Sequence, residues 1–155
     1  MDNNDLNCTP ARLILTEIQL ALNKDNAKIM TKVGSSLARK WVKAHEKNVY
    51  KTPQELLEAI ADYLKNDIKV VSKAEIEMGE NNATIHIEGC VPCCGNMVRA
   101  QGGVPACPLS SFAVNIMKRK FNFKKVVLKE ISKDKDQITN LPVVGVCHQA
   151  ISFEL

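Results

Sequence analysis

The side chains with the richest chemistry in this chain are thiols, and most of them lie close together in sequence. Of the six cysteines, five follow residue 89, and three of those fall within Glu88-Gly89-Cys90-Val91-Pro92-Cys93-Cys94-Gly95. Glycine on either side of the three thiols lets the backbone turn tightly, while Pro92 fixes one φ and removes one amide donor. A loop of this kind can aim several sulfurs at one point. Thiolates gathered in this way hold a metal, form a redox pair or act as a nucleophile.

A tetrahedral metal site needs about four soft or borderline donors at roughly 2.0 to 2.3 Å. Cys90 and Cys93, spaced Cys-x-x-Cys, supply two of them, and Cys107 and Cys147 are the distant donors the sequence favours. Cys107 stands at the start of a helix, where the positive end of the dipole lowers a thiol pKa, and Cys147 lies on the final strand. Cys94 competes with Cys93 for one ligand place. His148 is the alternate to Cys147, because neighbours on a strand point to opposite faces and only one of the two can turn to the metal. Zinc is the ion this donor set implies, and an iron-sulfur cluster is the alternative that the same four thiols could hold. Against both stands the plainer reading of small, buried, apolar cysteines with no ligand. Cys8 lies outside the cluster. His86, among Thr84 and Glu88, and His45, among charged helix residues, read as surface histidines.

The rest of the chain bounds what such a loop can belong to. With 155 residues, 45% hydrophobic and 25% charged, the chain can bury one core, and residues 1–155 read as a single globular domain. The net charge of +4 comes from 21 basic against 17 acidic residues spread without a long basic run, which argues against a nucleic-acid partner. Met1-Asp2-Asn3-Asn4-Asp5 is acidic where a secretory signal would be basic and then apolar, and no stretch approaches about 18 apolar residues. A cytoplasmic protein without a membrane span is expected. In a reducing cytosol, clustered cysteines serve as metal ligands or redox thiols more often than as disulfides. An enzyme is the reading with the thinnest support, because a reductase needs a bound cofactor, no Gly-x-Gly-x-x-Gly follows a strand, and Gly102-Gly103 is a turn rather than a phosphate cradle.

The elements that must position the thiols follow from periodicity. Thr9-Pro10 opens a helix whose Leu13, Leu15, Ile18, Leu20 and Leu22 predict burial over much of its surface. Asn23 to Asn26 breaks it. A second helix is predicted from Ala27 to Lys47, with Ile29, Met30, Val33, Leu37, Trp41 and Ala44 as its apolar stripe. Thr52-Pro53-Gln54-Glu55 is a capping box opening a third helix with Leu56, Leu57, Ile60, Tyr63 and Leu64 buried. The period then falls to two over Val70 to Met78 and again over Ala83 to Glu88, with a turn at Gly79 to Asn82, which predicts a hairpin. After the cysteine loop, residues 96–101 suggest a helical turn and 102–105 a break. Cys107-Pro108 starts a helix that buries Phe112, Ala113, Ile116, Met117 and Phe121, and strands follow over Lys125 to Ile131 and Val143 to Leu155. The fold class is α+β, with N-terminal helices packed on a small antiparallel sheet.

This order of elements resembles the 4-vinyl-reductase (hydrocarbon-binding) domain family. The resemblance is carried by Gly89-Cys90 after the hairpin, the helix around Ser111 to Lys120, Val126-Val127-Leu128-Lys129-Glu130, and Ser152-Phe153-Glu154-Leu155. It covers roughly residues 52–155 and leaves 9–50 as a helical N-terminal part. It implies a small α+β domain that binds or senses a small apolar ligand in a cavity between helices and sheet, forms a homodimer, and carries a structural zinc held by Cys and acidic or His ligands. Cys90 and Glu130 match family ligand positions; two further family cysteine places hold Ser132-Lys133 and Ile151 here, and Cys93, Cys94 and Cys107 are local additions. The first helix has more apolar surface than a small sheet can cover, which independently points to a second copy. A redox or iron-sulfur protein is the alternative function.

Overall fold

The computed structural model describes residues 10–93, 102 and 106–155. Cys8, the Thr9 cap, Cys94 and the turn expected over 96–101 lie outside the described residues. Helix α1 (Pro10–Leu22) leads through a 3-10 turn at Asn23–Asp25 into α2 (Asn26–Ala44), and α3 (Pro53–Asp62) continues as a π-helical turn over Tyr63–Asp67. Strands β1 (Lys73–Met78) and β2 (Asn82–Glu88) precede α4 (Pro108–Lys120), and β3 (Lys125–Ser132) and β4 (Cys147–Glu154) end the chain. The strands form one sheet in the order β1-β2-β4-β3, antiparallel at every pairing. This is the α+β architecture the sequence predicts.

Local chemistry accounts for the elements that match. Thr52 is extended, and its Oγ1 accepts from the Glu55 amide at 3.1 Å, while the Glu55 carboxylate accepts from the Lys51 amide at 2.7 Å, so two otherwise unpaired donors at the start of α3 are satisfied. On β2, Ala83, Ile85 and Ile87 turn inward, and on β4 Cys147, Gln149, Ile151 and Phe153 do the same. These meet Leu56, Leu57, Ile60, Phe112, Ile116 and Met117 from α3 and α4 in one core. The outer sheet face carries Glu75, Glu77, Thr84, His86, Glu130 and His148, as strand alternation requires.

The first helix departs most from expectation. Arg12, Thr16 and Gln19 are its buried residues, while Leu13, Ile14 and Ile18 are 41%, 62% and 45% exposed. Apolar residues occupy so many positions of this helix that periodicity does not choose a face. Hydrogen bonds choose it: the Arg12 guanidinium donates to the Cys90 carbonyl at 2.8 Å through Nη2 and 3.3 Å through Nε, and Gln19 accepts from the Asn26 side chain at 2.8 Å. A buried guanidinium must be paired, so α1 turns its polar row in and its apolar row out.

Helix α2 also differs in phase. Its buried row is Asn26, Met30, Gly34, Ala38 and Trp41, whereas Val33 is 39% exposed and Ala44 is exposed. Gly34 lies against α4, where an added Cβ would come within 2.8 Å of Ser111 Cβ and 2.9 Å of the Phe112 nitrogen. The close approach is tied by Ser111 Oγ donating to the Thr31 carbonyl at 3.0 Å. Lys120, at the end of α4, donates to the carbonyls of His45 and Asn48 at 2.8 and 2.9 Å, beyond the end of α2. His45 is no surface histidine, for it stacks on Trp41 with ring centroids 4.2 Å apart and its Nδ1 is 2.8 Å from the Trp41 carbonyl.

Candidate functional site

Cys90 lies two residues beyond the return strand of the first hairpin, and its backbone is held from several sides. Gly89 has φ +63, a left-handed conformation that favours glycine, and an added Cβ would come within 2.8 Å of Ser72 Cβ. The Cys90 amide donates to the Gly145 carbonyl at 3.0 Å, Val91 donates to Val70 at 2.9 Å, and Arg12 binds the Cys90 carbonyl. Gly145 has φ +81 and lets the segment before β4 pass beside Cys90 and the Arg12 guanidinium. The loop is therefore anchored by α1, by the segment before β1 and by the approach to β4.

Four thiols meet at this end of the molecule. Cys90 and Cys147 are buried, Cys93 and Cys107 are half-buried, and none forms a disulfide. Burial pushes the Cys90 thiol strongly up, followed by the nearness of Cys107, Cys93 and Cys147. Burial likewise raises Cys147 to about 11, with Cys107 and Cys93 adding to it and Lys133 opposing it. Cys107 is raised by burial too, and Cys93 adds to that. Every pairing among the four sulfurs thus lies within electrostatic reach. The helix start does act on Cys107, since the Ser110 and Leu109 amides favour its thiolate, but burial outweighs them and the net direction is up. The sequence-based expectation of a lowered pKa at this position is corrected accordingly.

Two side chains point N–H groups at these sulfurs. Lys133 Nζ is 2.8 Å from Cys93 Sγ. Gln149 Nε2 is 3.5 Å from Cys107 Sγ and 3.9 Å from Cys147 Sγ, while its buried Oε1 has no partner among the described residues. Sequence reading overlooked both. Gln149 could have been found, because it lies two residues beyond Cys147 on a strand and so shares its face; Lys133 is marked only as part of the Ser132-Lys133 place where the resembled family has a cysteine, and Arg12 carries no sequence signal that ties it to the loop.

The alternates fall elsewhere. His148 is on the outer face of β4, and Glu130, paired with Ala150, is exposed on that outer side too, so neither shares the thiols' side of the sheet. His86 is no isolated surface residue, since its ring is hydrogen-bonded to that of His148 at 2.7 Å. Four soft donors from the loop after β2, the start of α4 and the start of β4 suit zinc in number and kind. The sulfurs are not drawn together as ligands: among the described residues, no group of three or more His, Cys, Asp or Glu is arranged to hold a metal ion. Two open clefts of about 500 Å³ each have charged linings, one with Glu58, Asp62, Lys65 and Glu75 and the other with Lys125, Lys129 and Glu154, and neither is the enclosed apolar cavity that the resemblance implies. Among the described residues, no helix is long and apolar enough to cross a membrane.

No protein-family model matches the chain, and none of the curated proteins is similar to it.

Proposed function

We propose that the chain is a cytoplasmic small-molecule binding or sensing module whose cysteine loop is stapled by a zinc-thiolate site made of Cys90, Cys93, Cys107 and Cys147. The observation that carries the metal part is the gathering of four thiols from three separate parts of the fold, the loop after β2, the start of α4 and the start of β4, all within electrostatic reach of one another. Without a cation, burial and the neighbouring thiols push Cys90, Cys107 and Cys147 up, which disfavours a nucleophilic or thiolate redox role for these three. A divalent ion reverses that balance by replacing their protons. Lys133 and Gln149 then supply N–H groups to the thiolates, offsetting the charge of four sulfurs around one ion. The apolar ligand rests on the family resemblance alone.

Elemental analysis and visible absorption of anaerobically purified protein test this reading. About one zinc per chain without colour supports it. Iron and sulfide with a brown colour support instead the iron-sulfur reading, which uses the same four sulfurs. Protein free of both metals, from cells grown with both, overturns the staple.

We further propose a homodimer through the outward row of α1, because Leu13, Ile14 and Ile18 present an apolar stripe to the outside. An isologous contact would bury that row against its copy. Light scattering across micromolar concentrations is expected to give twice the chain mass, and Ile14→Glu with Ile18→Glu to return it to the monomer value. A monomer mass for the unchanged chain at all concentrations removes the dimer.

A further inference from the structure

On the outer face of the sheet, turned away from the thiols, four side chains form an unbroken chain of hydrogen bonds. Glu77 Oε2 lies 2.9 Å from His86 Nε2, His86 Nδ1 lies 2.7 Å from His148 Nδ1, and His148 Nε2 lies 2.8 Å from Asp134 Oδ1. The backbone sets this up. His86 and His148 are directly opposite one another on β2 and β4, Glu77 projects from β1 on the same side, and Asp134 follows the end of β3.

The carboxylates decide which ring nitrogens carry protons. A carboxylate accepts only, so each Nε2 facing one must hold a hydrogen. Two neutral imidazoles have no further ring proton, which leaves the two Nδ1 lone pairs aimed at each other. Either one ring takes a second proton and donates it across the 2.7 Å gap, or a cation stands between the two lone pairs. An imidazole whose far nitrogen donates to a carboxylate and whose near nitrogen is bare is the usual form of a histidine metal ligand, because the carboxylate fixes the tautomer and the ring direction. Here that arrangement occurs twice, face to face.

We propose that His86 and His148 bind a divalent transition-metal ion through their Nδ1 atoms, with Glu77 and Asp134 as positioning residues behind them. Imidazole donors suit zinc, nickel and copper. Charge supports the assignment, since one divalent cation between two neutral imidazoles balances the two carboxylates. The surrounding face adds Glu75, Glu88 and Glu130 against Lys73, which bridges Glu75 and Glu88 at 3.3 and 3.2 Å. Ligands at about 2.0 to 2.1 Å in tetrahedral geometry stand about 3.3 Å apart, so the rings need to part by about 0.6 Å. The side chains have room, being 34% and 27% exposed, and that exposure lets water complete the coordination. The site does not depend on the thiol reading, because His148 and Cys147 lie on opposite faces of β4.

The test uses the full chain in two samples, one metal-free and one given a single equivalent of zinc to fill any thiol site, each titrated with nickel chloride while the histidine ring resonances are followed by NMR. His86 and His148 are expected to broaden at substoichiometric nickel while His45 stays sharp, and His86→Asn should remove the effect. Glu77 and Asp134 are 74% and 58% exposed, so Glu77→Gln and Asp134→Asn leave the fold intact. Each is expected to weaken nickel binding about 10- to 100-fold, as loss of an outer hydrogen-bond partner does at metal sites. Equal broadening of all three histidines, no broadening below millimolar nickel, or unchanged affinity in both carboxylate variants overturns the site and leaves a histidine pair that shares a proton only.

Discussion

Serine in place of any one of Cys90, Cys93, Cys107 or Cys147 is expected to lower metal content and melting temperature together. The effect should be large. Metal that binds only the folded chain adds its binding free energy to stability, and structural zinc contributes on the order of 10 kcal/mol, comparable to the whole folding free energy of a small domain. The four sulfurs also come from segments far apart in the chain: two from the loop after β2, one from the cap of α4 and one from the first residue of β4. Losing one ligand therefore frees the loop and the cap of α4 from the sheet, which stays paired between β2 and β4. Cys8→Ser is expected to change neither quantity, and it controls for the general effect of removing a thiol. Cys94→Ser distinguishes neighbours in the loop: if it loses the metal while Cys93→Ser keeps it, the ligand set is wrong by one residue. Full metal content and stability in all the single variants would remove the staple and return these cysteines to the core.

Gly34→Ala is expected to destabilise the chain even though alanine is the better helix former. The propensity gain is about 1 kcal/mol. Against it stands the contact with α4, where the new methyl group meets Ser111 Cβ at 2.8 Å and the Phe112 nitrogen at 2.9 Å. One of these is backbone, so no side-chain rotation relieves it, and α2 and α4 must move apart over a surface that includes Met30, Ala38, Trp41 and Phe112. Overpacking of this kind costs about 1 to 3 kcal/mol and sometimes more. The Pro108 carbonyl oxygen, also backbone, would lie nearer still, which puts the cost at the upper end; the net expectation is a loss of about 2 kcal/mol, or about 4 to 8 °C in melting temperature for a chain of this size, and Gly34→Val should lose more. Lys32→Ala, exposed on the same helix, controls for composition. A Gly34→Ala chain as stable as the parent would mean that the helices do not meet as closely as described.

Much of the fold was legible because several signals agreed on it. Thr52-Pro53-Gln54-Glu55 marked the start of α3 through a cap that needs only four residues, and the alternation over Ala83 to Glu88 marked β2 through a period of two. The α4 prediction succeeded for a similar reason, with Pro108 at its first turn and Phe112, Ala113, Ile116 and Met117 on one side. The four cysteines chosen as ligands lie within electrostatic reach of one another but, among the described residues, form no group arranged to hold a metal ion. Their choice relied on which elements they begin or end, and element order is what periodicity reads best.

The sequence by itself determined the helices and the strands, because these follow from local spacing, capping and alternation. Only the tertiary structure decided which way α1 faces, since its apolar residues are too many to define a stripe and a long-range bond from Arg12 to the Cys90 carbonyl, 78 residues away, selects the buried side. It also decided the charge environment of the thiols: burial around Cys107 outweighs the helix start that local reasoning relied on. The pairing of His86 with His148 belongs to the same class, because strand alternation gives each residue a face, while the order β1-β2-β4-β3 brings residues 62 positions apart into direct contact. Local rules set what each segment can be; contacts between distant segments set what it faces.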